Sequence, residues 1–390
     1  MIQYYYTPTR IYLGYDSIKR LGEVIKEFGR KAFVLFSRSF ALRYGYTDLI
    51  SKLLSNEGIT YKFYIGIKPN PPASQCNEVA KAVKEFNPDV IIAFGGGSVI
   101  DAAKAVSVVA SLGGKTSNYF YPKIVKDDIT PIIAIPTTCG TGSEVTKYAI
   151  ITDEVNRRKA VIVGEPLIPK VALVDPSVLK HLPRDMISWT SLDALSHALE
   201  AYMSKSSNVF SDIYALNAVE LILGSITNGV KYETNSLLNL HLASTLAGMA
   251  INIAGTTLIH ALGYYLTTHH EVHHGLANAL VMPYVLYRSL KVIKNKVGRL
   301  LHVFKASSID ELVIKLINLL DTLNIPNSLL DVGVKLDELD KYKTNVINYR
   351  RNLENEPLEV NEELVKTLIT EALKGRKAFL NKVIKVLGKE

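Results

Sequence analysis

The chain is expected to fold as an α/β domain on a parallel, doubly wound sheet, followed by an all-helical domain. Up to about residue 175, short β-rich runs alternate with helical stretches, the pattern of parallel strands joined by crossover helices. One apolar run ends in three glycines, Gly95 to Gly97, and opens directly into a helical pattern. From about residue 176 the β-rich runs cease and long helical patterns continue to the end.

In order, KAFVLFS (31–37) reads as a buried strand, and FALRYGYTDLISKLLSNEG carries helical spacing behind it. ITYKFYIGI is the next strand. SQCNEVAKAVKEFNPD is an amphipathic helix with Val79, Ala80 and Val83 on one side and Lys and Glu on the other. DVIIAFGGG is a strand running into the glycine turn, and SVIDAAKAVSVVAS opens the helix after it. TPIIAIPTTCGTGSE repeats the arrangement, an apolar strand followed by a loop of Pro, Thr and Gly. PSVLKHLPRDM, with two prolines, reads as a connector, and the domain boundary is placed near residue 178, giving domains 1–178 and 179–390. Beyond it, SLDALSHALEAYMS, SDIYALNAVELILGSI and LHLASTLAGMAINIAG carry helical patterns.

Hydrophobic residues make up 48% and charged residues 21%, an ordinary globular balance. No uninterrupted apolar run reaches the roughly 18 residues of a membrane span, and the start lacks the basic-then-apolar layout of a secretory signal. The cytoplasm is the expected compartment. Two cysteines, Cys76 and Cys139, are too few for a disulfide framework or a thiolate zinc site. The net charge of +8 is spread along the chain without an aromatic-interleaved basic motif, which argues against nucleic acid and suits phosphate-bearing small molecules.

Glycines at 95–97 allow close approach of a ligand to the backbone, and the free N–H groups of a helix starting near Ser98 would face an anion. A tight strand-to-helix turn uses glycine for purely steric reasons too. A second loop, Pro136 to Glu144, adds the hydroxyls of Thr137, Thr138, Thr141 and Ser143. The pattern is not the G-x-G-x-x-G fingerprint. At the end of KAFVLFS stand Ser37, Arg38 and Ser39, with no acid to hold a ribose 2′-hydroxyl. An arginine there favours the 2′-phosphate of NADP; its alternative role is that of a solvated loop residue.

Asp193 and His197 are four residues apart in a helical stretch, so both lie on one face. They would either pair with each other or share a cation with imidazoles from elsewhere. His260 lies in apolar LIHALG, and His269, His270, His273 and His274 cluster before Gly275; the sequence pattern does not choose among the four. His181, His241 and His302 stand singly and read as structural or surface residues.

FGGGSVIDAAKA, PTTCGTGSEVT, SLDALSHALEAY and HALG followed by HHGLANAL, in this order, resemble the iron-containing (group III) alcohol dehydrogenase family. The resemblance covers nearly the whole chain. It implies a dehydroquinate synthase-like architecture, with NADP or NAD in a cleft between the α/β and helical domains. It places the metal ligands on Asp193, His197, His260 and His274, which acts within the histidine cluster as the residue preceding glycine. It places pyrophosphate contacts on Gly96, Gly97 and Ser98, with Asp101 in the same motif, and further cofactor contacts on Thr137, Thr138, Thr141, Asn70 and Lys159. Leu179, in the connector, is counted with the cofactor contacts. Where many members carry a further histidine near the metal and nicotinamide, this chain has Tyr264, so the proton path and the substrate pocket are expected to differ. The implied reaction is reversible hydride transfer between an alcohol and the nicotinamide at a divalent cation, Fe(II) or Zn(II), in a homodimer or larger assembly. A polyol dehydrogenase of the glycerol type and a dehydroquinate synthase-like lyase are the alternatives on the same scaffold.

Overall fold

A computed structural model describes residues 2–387, apart from the side chains of Ser39, Val386 and Leu387. The chain divides into two compact units, Tyr6–Leu182 and Pro183 onward, the second taking in the first residues through Tyr5.

In the first unit, β1 (Arg10–Leu13), β2 (Lys31–Ser37), β3 (Thr60–Ile67), β4 (Val90–Gly95), β5 (Ile132–Pro136) and β8 (Val171–Val174) form one six-stranded sheet in the order β1-β8-β5-β4-β2-β3. Every pairing in it is parallel. The inner strands β4, β5 and β8 are buried at every residue, as continuous apolar runs in a covered parallel sheet must be, while the edge strand β3 alternates in exposure. The helices are α1 (Leu21–Ile25), α2 (Arg38–Arg43), α3 (Tyr46–Asn56), α4 (Ala73–Phe86) and α5 (Gly97–Leu112). Val79, Ala80 and Val83 of α4 pack with the inner face of α5 against β2, β4 and β5 in one core.

Three features depart from the sequence reading. The stretch after β2 is two helices, because Gly45 takes a left-handed φ of 71° between them. The four-residue strands β1 and β8 carry too little pattern to be seen in the sequence. The sheet expectation was purely parallel, yet β6 (Tyr148–Asp153) and β7 (Arg158–Val163) form a separate antiparallel hairpin. A 3-10 helix, Pro176–His181, buries Val178 and Leu179, and the connector is divided: its residues through Leu182 belong to the first unit, while Pro183 and the residues that open α6 belong to the second.

The second unit consists of helices among its described residues: α6 (Arg184–Met203), α7 (Val209–Gly229), α8 (Thr234–Ala254), α9 (Leu258–His269), α10 (His274–Val292), and α11 to α16 between Val297 and Leu387. Helix α6 packs against α7, α8 and α10 and is buried almost all round, which is the position of a central helix. By mean hydropathy α7 and α8 are each long and apolar enough to cross a membrane. Both pack on α6 and on each other, and 67% of the apolar stretch of α8 is buried there.

Candidate metal centre and nucleotide-binding loops

Three helices bring the expected donors together in the second unit. Asp193 comes from α6, His260 is the third residue of α9, and His274 is the first of α10. Asp193 Oδ1 lies 3.9 Å from His260 Nε2 and 3.8 Å from His274 Nε2. One donor atom from each residue falls within 4.8 Å of the other two. Two ligands of one transition-metal ion, each about 2.1 Å from it, stand at most about 4.2 Å apart, so the carboxylate-to-imidazole spacings suit a shared cation. Gly275 permits the approach of α10 to α6, since a Cβ there would lie 1.9 Å from the Trp189 carbonyl oxygen and 3.0 Å from Asp193 Cβ.

His197 is not one of the converging three. One turn along α6 from Asp193, it lays its ring on that of His260, with centroids 4.6 Å apart and planes at 25°. Of the four clustered histidines only His274 joins the group. His270 Nε2 sits 2.9 Å from Glu338 Oε2, His269 stacks on Tyr265 at 4.3 Å, and His273 lies against Trp189 at 5.3 Å.

Two residues that the sequence reading passed over complete the arrangement. Asn278, fully buried one turn after His274, donates from Nδ2 to Asp193 Oδ1 at 2.9 Å and comes within 3.2 and 3.3 Å of Nε2 of His260 and His274. Glu200, also fully buried, meets His260 Nδ1. Burial works against the Asp193 carboxylate, but His197, His274, His260 and the Asn278 amide outweigh it and hold the pKa at about 2. The group is an anion at neutral pH, as a cation ligand must be. Burial likewise opposes the charged form of His260, and the Glu200 and Asp193 carboxylates overcome it, so its pKa is raised.

Tyr264 covers this cluster. Its ring stacks on His274 at 5.6 Å with planes at 9°, and stands 4.8 Å from the ring of Tyr349. Burial raises its pKa far above the ordinary phenol range, which keeps it a neutral phenol.

In the first unit, the glycine run and the threonine loop pack directly together. None of Gly95, Gly96 and Gly97 has a left-handed φ; crowding is what excludes a side chain there. A Cβ on Gly97 would lie 2.5 Å from Thr141 Cγ2, and one on Gly96 would lie 3.1 Å from Thr138 Cγ2. Gly96, the N-cap of the 16-residue α5, has no side chain to cap the helix, and Val99 N–H donates to its carbonyl at 2.9 Å, so the N–H groups of Gly97 and Ser98 are the ones suited to an anion. Thr137 N–H donates to the Gly95 carbonyl at 3.1 Å and Thr137 is buried, whereas Thr138 and Thr141 are partly exposed.

Asn70, Ser98 and Lys159 meet in one network. Asn70, left-handed at φ 51°, donates its N–H to Ser98 Oγ at 3.2 Å, and Lys159 Nζ donates to Asn70 Oδ1 at 2.7 Å. Asp101 has an internal role: it accepts from the Ser143 hydroxyl and, at 2.9 Å, from Ile150 N–H, bracing α5 to the threonine loop and β6. Ser37 ends β2, and Arg38 is exposed at the start of α2. Leu179 is 0% exposed, so its side chain presents no surface to a ligand.

Both halves of the chain match models of a single family. Residues 8–176 match that of the iron-containing alcohol dehydrogenases, and residues 187–373 match that of the C-terminal region of the same family. The chain belongs to the iron-containing alcohol dehydrogenase family. It is 31% identical to alcohol dehydrogenase 4 of Saccharomyces cerevisiae over 94% of this chain and 98% of that one. It is 31% identical to the NADPH-dependent butanol dehydrogenase of Clostridium saccharobutylicum over 88% of this chain and 90% of that one. The crystal structure of an iron-containing alcohol dehydrogenase from Thermotoga maritima superposes with a TM-score of 0.86 at 30% identity, covering 96% of this chain and all of that one. As a member of this family the chain is a metal-dependent, NAD(P)-linked alcohol dehydrogenase acting on small alcohols and aldehydes.

Proposed function

We propose that this dehydrogenase uses Fe(II), held by Asp193, His260 and His274 with His197 alongside, and interconverts a primary or secondary alcohol and its carbonyl compound by hydride exchange at C4 of the nicotinamide. The convergence of a buried carboxylate oxygen and two imidazole nitrogens within 4.8 Å carries the reading. The donor set, one oxygen and two nitrogens, suits Fe(II) or Zn(II) and is unsuited to Mg(II) or Ca(II). A cation bound there supplies Lewis acidity toward the alcohol or carbonyl oxygen. Asp193 contributes the anionic ligand, Asn278 orients it at 2.9 Å, and Tyr264 forms an aromatic wall over His274 that limits the shape of the substrate. As a neutral phenol Tyr264 is equipped to donate a hydrogen bond to a bound oxygen and not to act as a base at neutral pH.

The dinucleotide is assigned to the α5 N-terminus and the loop of Thr137, Thr138 and Thr141, with Asn70 and Lys159 beside it. Ser37 and the exposed Arg38 favour NADP over NAD. The two buried free cysteines, Cys76 and Cys139, are consistent with a reducing, cytoplasmic setting, and a homodimer or larger assembly is the expected form.

The test is purification without added metal, elemental analysis, and a panel of alcohols and aldehydes followed by the absorbance of the reduced nicotinamide with each cofactor. Stoichiometric iron and faster turnover with NADP are expected. A protein that turns over fully after its metal is stripped and shown to be absent overturns the reading.

A further inference from the structure

Glu200 lies two turns along α6 from Asp193, seven residues on and therefore on the same face, with a side chain that is 0% exposed. Its two oxygens are divided between two tasks. Oε1 accepts from Thr257 N–H at 2.9 Å, Thr257 Oγ1 at 2.9 Å and His260 N–H at 3.2 Å, which fastens the first turn of α9. Oε2 is left to meet the Nδ1 side of the His260 ring. The carboxylate therefore holds both the backbone and the imidazole of one residue.

An ionised carboxylate only accepts hydrogen bonds, so the nitrogen facing it is the one that carries the proton. In a neutral imidazole that places the lone pair on Nε2, the atom 3.9 Å from Asp193 Oδ1. We propose that Glu200 is a positioning residue: it fixes His260 as the Nδ1–H tautomer and thereby sets the affinity of the three-helix cluster for a divalent cation. The inference rests on reading Asp193, His260 and His274 as a cation site.

Glutamine at this position separates charge and tautomer from shape. The three donors around Oε1 would keep the amide oxygen on their side, so the amide nitrogen must face Nδ1. Two donors cannot share that contact. The imidazole proton must then move to Nε2, where it occupies the position the cation needs, as happens to the histidine of a catalytic triad when its aspartate becomes asparagine. Glu356 provides the control. It is fully buried, accepts from Leu258 N–H at 3.3 Å at the same helix end, and accepts from the Ser289 hydroxyl at 2.7 Å.

The experiment compares metal-free, full-length wild type with Glu200→Gln and Glu356→Gln. Zn(II) affinity is measured by chelator competition, and the His260 tautomer by nitrogen-15 NMR of the metal-free proteins at a pH high enough for the ring to be neutral. Glu200→Gln is expected to weaken Zn(II) binding by roughly 10- to 100-fold and to move the proton from Nδ1 to Nε2. Glu356→Gln is expected to change neither. The inference is overturned by wild-type Zn(II) affinity in Glu200→Gln, by equal losses in both variants, or by an Nε2–H tautomer already present in the wild type. The wild-type spectrum needs no variant to fold. If the wild type takes up no Zn(II) or iron, the cation reading fails, while the spectrum still decides the role of Glu200.

Discussion

The loops proposed for the dinucleotide and the cluster proposed for the metal are built by opposite means around the same kind of support. The loops offer backbone N–H groups and hydroxyls, so their precision comes from how closely the glycine backbone packs on the threonine side chains. Gly97 against Thr141 is the tightest point of that packing. The metal centre offers side-chain atoms from three helices, so its precision comes from ring orientation and proton placement. Behind each stands one fully buried charge. Lys104 donates to Ser143 Oγ at 2.9 Å, Thr146 Oγ1 at 3.1 Å, and the carbonyls of Thr146 and Tyr148 at 2.9 and 2.7 Å. Glu200 accepts three donors on one oxygen and faces His260 with the other. The cation backs the region assigned to phosphates, and the anion backs the region assigned to a metal. Each buried charge thus has the sign opposite to the ligand proposed beside it, and each has hydrogen bonds and an ionisable partner, Asp101 Oδ1 at 3.8 Å from Lys104 Nζ and the His260 ring beside Glu200, which is what makes its burial tolerable.

The largest effect separating the two regions is expected from the ligands themselves. His260→Ala and His274→Ala should each abolish stoichiometric metal and turnover while leaving dinucleotide binding close to wild type. Elemental analysis and a nucleotide fluorescence titration read the two sides independently. Parallel loss of both would mean that the regions are not separable supports. Lys104→Met should act on the other side. It leaves four oxygens without their donor and is expected to destabilise the protein by about 3 kcal/mol, read as a lower Tm, and to weaken dinucleotide binding at unchanged metal content. Gly97→Ala is a milder version of the same test. Its Cβ would stand 2.5 Å from Thr141 Cγ2 and 2.7 Å from Thr141 Oγ1. Moving the loop aside should cost about 1–3 kcal/mol, seen as roughly tenfold weaker dinucleotide binding or more. An unchanged affinity would mean that the threonine loop does not shape that site.

What the sequence made legible followed from local pattern. The run from β4 into α5 was readable because a buried parallel strand is continuously apolar and the glycines end it abruptly. Asp193 was readable because a carboxylate in an apolar helix requires a partner. The partners themselves were not, because they lie far along the chain: Glu200 is 60 residues from His260, and Asn278 is 85 from Asp193. Glu200, Asn278 and Lys104 all stand inside the strings that carried the family resemblance. Each is a polar residue on a buried helix, Glu200 at i+7 from Asp193 and Asn278 at i+4 from His274, so face and spacing were the available signal. The antiparallel pairing of β6 and β7 was not read from local pattern, although Lys159 on β7 was reached through the family resemblance. The choice of His274 among four neighbours came from resemblance alone, and the close packing of Gly275 on Trp189 shows its physical basis.

The smallest expected effect is also the one that sets the two regions in opposition. Burial pulls the Lys159 pKa down to about 8, with Asp101 pulling the other way, and its ammonium donates to Asn70 Oδ1 and, at 3.3 Å, to Thr152 Oγ1. A bound phosphate favours the protonated form, so dinucleotide affinity should be full below pH 8 and fall as the pH rises through it. The loss should be on the order of 1 kcal/mol, about fivefold. Lys159→Gln should bind more weakly at neutral pH and lose that step. Metal affinity must run in the reverse direction, because protons compete with the cation for the imidazoles and it weakens as the pH falls. Titrating dinucleotide and Zn(II) separately across pH 6 to 9 should therefore give slopes of opposite sign. Two slopes of the same sign, or a dinucleotide step that survives Lys159→Gln, would show that a different group governs the nucleotide loops.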